Sequence, residues 1–172
     1  MGLPTANKRG DKKGLVVRLN MDWLLFDIMN ETFLRGRTIQ NRDNHKQVAS
    51  MFASMDDENR EKIMRTIKRS YGELKSELSD YLDEKVFSTD NGHITPETNL
   101  ELHLEMPSNF NEAASQAVND ACHAFIVHES VAEWYVVTNK DEAAEYFTLA
   151  RNDLELVRYT SSKRARPEVP LG

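Results

Sequence analysis

The sequence predicts a mainly α domain of four to five helices, two of them long, amphipathic and packed together, with a small antiparallel β-sheet or hairpin. Three observations predict it. Ile63, Ile67, Tyr71, Leu74, Leu78 and Tyr81 recur at steps of three and four, which places them on one ~100° helical stripe. Leu100–Met106 (LELHLEM) alternates strictly between apolar and polar, the period of a half-buried strand. Two more helical patterns then follow and meet at one boundary, within AEWYVVTNKDEAAEYF.

Along the chain, GLVVRL puts Leu15, Val17 and Leu19 on one face of a short strand. Asn20 is the expected N-cap of the next helix, with Asp22 in its first turn and Gly36 as its stop. A weaker helix is expected over Asn44–Ser54. The clearest helix begins at Ser54 and runs through SDYLDEKV, its outer faces charged and carrying Glu58/Lys62 and Glu61/Arg65 at favourable i,i+4 spacing. Asp90-Asn91-Gly92 signals a turn. The strand Leu100–Met106 then points Leu100, Leu102, Leu104 and Met106 inward, to pair with Leu15–Leu19 or with Val86–Thr89.

A second long helix is expected from Ser108 or Asn109 to Val137, a rod of ~42 Å. On its second half Phe125, Val127, Val131, Ala132, Trp134, Tyr135 and Val136 spread over roughly 200°. Only Glu129, Ser130 and Glu133 leave it a polar side. A helix so apolar is either central in its own domain or covered on one side by another molecule. Asn139 and Glu142 then form a capping box, with Val137 and Ala143 as a staple. The last helix is expected to bury Ala143, Phe147, Ala150, Leu154 and Val157. Leu149 and Leu156 lie off that stripe and call for another cover. The sequence ends SSKRARPEVPLG, whose prolines forbid a further helix.

The composition suits one folded domain: 172 residues, 40% hydrophobic and 29% charged. A single cysteine, Cys122, allows no internal disulfide and fits a reducing compartment. MGLPTANKRGDKKG lacks the apolar core of a signal peptide, and no apolar run approaches the ~20 residues that span a bilayer, so a cytoplasmic chain with no membrane partner is expected. The net charge of −6 is unevenly spread. Residues 1–18 carry +4 and residues 158–172 carry +3, which leaves −13 for the body. An acidic body between basic ends argues against nucleic acid wrapped around the domain. The expected layout is a basic arm over 1–14, a helical domain over 15–160 and an extended basic tail over 161–172.

The chemistry-bearing residues do not converge. Glycine-rich phosphate loops, CxxC pairs and GxSxG elbows are missing from the sequence. Glu101, His103 and Glu105 share one strand face, a spacing a metal could use, but such a face ordinarily faces solvent. His128-Glu129 begins like a zinc helix motif, yet Ala132 stands where the second ligand is needed, so His128 reads as a hydrogen-bonded core or interface residue. Cys122 and His123 point in different directions on a helix, and the Asp120/His123 pair alone does not build a di-metal site. No catalytic residue, cofactor or metal is expected, and the chain reads as a non-enzyme.

The EWY patch (Glu133-Trp134-Tyr135), the TNKDEAAEY cap and helix and the basic RARP end, together with FDIMNETFLRGRTI and the long helix ending SDYLDEKV, resemble small head–tail connector proteins of tailed bacteriophages. These are adaptor or neck-ring proteins, and the resemblance is nearest to those of Bacteroides-infecting, crAss-like phages. It implies a structural virion protein in the neck between capsid and tail, made in the host cytoplasm. Its copies would form a ring, expected to be a dodecamer, that docks on the portal protein and offers a platform to the next neck or tail protein. DNA would pass through the channel without sequence-specific binding, and an acidic body suits such a conduit because like charges do not stick. The resemblance implies a portal-binding tail in Lys163, Arg164, Arg166, Pro167 and Pro170, and subunit contacts in Trp134, Tyr135, Leu149 and Leu156. The alternative is a cytoplasmic helical adaptor or regulator that binds a single protein partner without forming a ring.

Overall fold

The computed structural model describes residues 11–40, 43, 44, 46, 49, 51, 57–85 and 99–167. Its first strand, β1 (Lys13–Leu19), pairs antiparallel with β2 (Leu100–Met106). The register sets Leu15 opposite Leu104, Val17 opposite Leu102 and Leu19 opposite Leu100. Three apolar pairs therefore share the inner face, the arrangement that stabilises a strand pair, and buried Met106 stands opposite Lys13 at its end. On the outer face Arg18 stands opposite Glu101, 3.4 Å from its carboxylate. Beyond β2, Leu82 bridges Leu104, and the Asp83 amide donates to the His103 carbonyl at 2.9 Å, which occupies part of the second edge.

Helix α1 (Met21–Ile39) starts where the Asn20 side chain accepts from the Trp23 amide at 3.0 Å. It does not stop at Gly36. The helix continues to Ile39, and Gly36 is buried one turn after buried Thr32. Glycine lowers helix propensity by about 1 kcal/mol, and tertiary packing overrides that here. Helix α2 (Asp57–Glu77) buries Ile63, Ile67 and Leu74 as the stripe requires, then tightens into a 3-10 turn at Ser79–Tyr81. Arg65 pairs with Glu61 on its outer face.

Helix α3 (Ser115–Thr138) begins later than the sequence suggests. Phe110 is instead drawn into a β-bridge with Arg164, and a 3-10 turn at Glu112–Ala114 intervenes, capped by the Asn111 side chain. Helix α4 (Lys140–Ser161) follows after a single residue, Asn139, whose side chain accepts from the Glu142 amide at 3.3 Å. The capping box is half made. Glu142 does not return the bond but pairs with Arg35, and Val137 is 77% exposed, so no staple forms over Ala143.

Among the described residues the architecture is four α-helices and one two-stranded sheet, with α3 at the centre and α1, α2, α4 and β1 packed around it. The expected helix over 44–54 lies largely outside the described residues, as do Asp90–Gly92 and Val86–Thr89. Ser130, 2% exposed on α3, leaves its hydroxyl oxygen with no hydrogen-bond partner. An unpaired buried hydroxyl costs about 1 kcal/mol or more. Ser130→Ala is therefore expected to raise the unfolding free energy by about 1 kcal/mol in urea titration; a loss of stability would show the hydroxyl to be satisfied.

Candidate functional site

The aromatic boundary is core, which corrects the expectation that Trp134 and Tyr135 are subunit contacts. Tyr135 is fully buried, its hydroxyl donating to the Thr32 carbonyl of α1 at 3.3 Å. Trp134 is 8% exposed, and its indole donates to the Met51 carbonyl at 2.8 Å. Apart from Val136, 41% exposed, the wide apolar arc of α3 is covered from within the chain because α3 is the central helix. Its supposed polar side is covered too. Glu129 is 6% exposed, and Arg151 of α4 reaches both Glu129 and Glu73 of α2. Burial raises the Glu129 carboxyl above its ordinary range, against the opposing pull of Arg151.

Each of the three described histidines bonds a carboxylate. His128 bonds Asp153 at 2.5 Å between α3 and α4, in line with the hydrogen-bonded role read from the sequence. His123 bonds Asp27 at 2.7 Å between α3 and α1, and His103 bonds Glu101 at 3.0 Å on the outer sheet face. Among the described residues no group of three His, Cys, Asp or Glu side chains is placed to hold a metal ion. Burial pushes the Cys122 thiol up to about 12, so it stays protonated and a poor nucleophile. A cleft of about 440 Å³ opens where β1, α1, β2 and α3 converge, beside Trp23. Its polar side chains serve one another and the backbone. Gln116 donates to Asp120 at 2.6 Å, and Asn119 accepts from the Arg18 amide at 2.8 Å.

Among the described residues the exposed large apolar side chains are Val136 and Val137 at the end of α3 and those on the outer faces of two other helices. On α4, Leu149, Leu156 and Tyr159 are 41%, 46% and 59% exposed, as their position off the core stripe requires. The core stripe itself holds Tyr146, with Phe147 only partly buried at its edge. The phase of the helix decides this, because Tyr146 shares a face with Ala143, Ala150 and Val157 more closely than Phe147 does. On α1, Trp23, Phe26, Phe33 and Leu34 are all exposed, a feature the sequence reading did not single out. Its signal was present, since α1 carries apolar residues on two opposite sides.

The basic tail begins docked. Thr160 and Ser161 are buried, the Asn111 amide donates to the Lys163 carbonyl at 3.0 Å, and the Ala165 amide donates to the Asn109 carbonyl at 2.7 Å. The Lys163 ammonium lies 3.7 Å from the Tyr159 ring centroid, and Arg164 donates to the Ser161 and Lys163 carbonyls. Residues 161–165 therefore belong to the domain and not to an extended tail; Arg166 and Pro167 are exposed, and Pro170 lies outside the described residues. At the other end, Lys13 and Gly14 belong to β1 and not to a separate arm.

Fold and site together define a helical domain with a closed core, paired polar clusters and two apolar helix faces turned to solvent. Comparison with protein-family models, curated proteins and solved structures finds no match. No described helix is long and apolar enough to cross a membrane.

Proposed function

We propose that this chain is a non-enzymatic subunit of a bacteriophage head–tail connector, assembling into a ring that docks on the portal and extends the DNA channel toward the tail. The observation that carries the reading is the outer face of α4, where exposed Leu149, Leu156 and Tyr159 lead directly into a basic, proline-containing end. A ring subunit needs an apolar contact for its neighbour and a projecting segment for the next ring. The net charge of −13 between the basic ends supports passage of DNA without adhesion. The portal, the next neck or tail protein and passing DNA are the proposed partners, and the virion neck is the proposed location.

The test separates a ring from a single-partner adaptor. Native mass spectrometry of the chain alone and with its portal is expected to show a large closed assembly; a stable monomer or dimer in both cases would favour the adaptor. Because residues up to Ala165 are hydrogen-bonded to the domain, the informative truncation removes residues 166–172 and spares 161–165. It is expected to leave thermal unfolding unchanged and to weaken portal docking by about tenfold or more, in a salt-dependent manner. Docking at full strength after this truncation would assign portal binding to another surface.

A further inference from the structure

Exposed apolar residues on α1 and α4 follow the same spacing. Trp23, Phe26, Asn30 and Phe33 step by three, four and three along α1, and Leu149, Asn152, Leu156 and Tyr159 do the same along α4. At ~100° per residue each set falls within an arc of about 80°. Each arc is turned away from the core, because the opposite side of α1 buries Leu24, Leu25 and Ile28, and that of α4 buries Ala150, Leu154 and Val157. Each arc carries one polar residue among its four, an exposed asparagine.

We propose that the outer face of α1 in one copy packs antiparallel on the outer face of α4 in a second copy, with Asn30 facing Asn152. In that register Trp23 meets Tyr159, Phe26 meets Leu156 and Phe33 meets Leu149, so the two asparagines alone are polar and they pair with each other. A single polar residue in such a seam fixes register and orientation at some cost in stability. The next step along each helix sets Arg37 of α1 against Glu145 of α4, and Asp22 lies at the end where the neighbour's Lys163 emerges. The antiparallel order also opposes the two helix dipoles favourably.

Parallel α1 on α1 or α4 on α4 would pair like asparagines, but it sets Arg37 against Arg37 or Glu145 against Glu145 and aligns the helix dipoles unfavourably. The remaining pairings of the same faces fail on the asparagines. Antiparallel α1 on α1 sets Asn30 against Phe26, and antiparallel α4 on α4 sets Asn152 against Leu156. Parallel α1 on α4 sets Asn152 against Phe26 and Asn30 against Leu156. Each leaves an amide against apolar carbon with no partner, which costs more than the paired amide. The favoured contact joins two different surfaces, so it is heterologous and repeats head to tail, closing a ring or extending a filament. It rests on the self-association proposed above and supplies its contact, but it does not depend on the portal.

The test is disulfide trapping in the full chain. Cys122, the single native cysteine, is buried and stays out of the reaction. Asn30→Cys and Asn152→Cys proteins are mixed under mild oxidation. A cross-linked heterodimer is expected at about tenfold or more over the homodimer of either protein alone, because facing positions bring the sulfurs within bonding reach. Homodimers formed as readily would overturn the heterologous pairing. A large assembly in the native mass spectrum with no cross-link would overturn this seam and leave the ring reading standing. A monomer at all concentrations with no cross-link would overturn both. In uncross-linked protein Asn30→Leu is expected to weaken association by about tenfold, and adding Asn152→Leu is expected to restore it. Simple additivity of the two changes would show that the asparagines do not face each other.

Discussion

Tyr135→Ala is expected to lower the unfolding free energy by about 3–5 kcal/mol, the range for removing a fully buried aromatic ring. The ring is fully buried between α1 and α4, edge-on to Tyr146 with centroids 5.6 Å apart. Its hydroxyl holds the Thr32 carbonyl, and burial pushes that hydroxyl well above its ordinary ionisation range, so it remains a donor at any working pH. Tyr135→Phe should cost about 1 kcal/mol, the worth of the single hydrogen bond. Phe147→Ala provides the contrast. The apolar stripe places Phe147 among the buried residues of the last helix, but the ring is partly exposed, and a loss of about 1–2 kcal/mol is expected. Equal losses for Tyr135→Ala and Phe147→Ala in urea unfolding would contradict this placement of the core.

The second large effect belongs to Arg35. Its guanidinium joins α1 to the first turn of α4, bonding Glu142 at 2.5 and 3.2 Å and Glu145 at 2.6 Å. The Glu142 side chain is 11% exposed, so removing its cation leaves a carboxylate with little access to water. Arg35→Met is expected to cost about 2–3 kcal/mol. That is below the 3–5 kcal/mol of a fully buried broken pair, because Arg35 is partly exposed and the N-terminus of α4 still favours a negative charge. The Arg35→Met, Glu142→Gln double variant should recover most of the loss, since the stranded charge is then gone. A double variant no more stable than the single one would show that the contact acts through packing of the arginine stem.

The strand period and two helix N-caps were legible in the sequence. The alternation of Leu100–Met106 matches β2, its pairing with the first strand is observed, and Asn20 and Asn139 cap the helices they were assigned. What the sequence hid depended on partners distant along the chain. Phe110 reads as helical by its neighbours, yet Arg164 draws it into a bridge. Gly36 reads as a stop, yet α1 continues through it to Ile39 with Gly36 buried. Trp134 and Tyr135 read as surplus apolar surface because the position of α3 among four other elements has no local signature. Conversely, the exposed face of α1 was obscured by the buried one, since a helix apolar on two sides has a weak apparent period.

The pairing of β1 with β2 also governs the order in which the molecule can be made. Leu19 meets Leu100, and Lys13 meets Met106, so β1 leaves the ribosome 81 or more residues ahead of its partner. At synthesis rates of about 5–20 residues per second that partner arrives roughly 4–16 s later. Until then the apolar face of β1, with Val17 and Leu19, has no strand to pair with. The lysines at its start, Lys12 and Lys13, and Arg18 near its end place positive charge at both ends of the waiting segment, which discourages two nascent chains from pairing edge to edge.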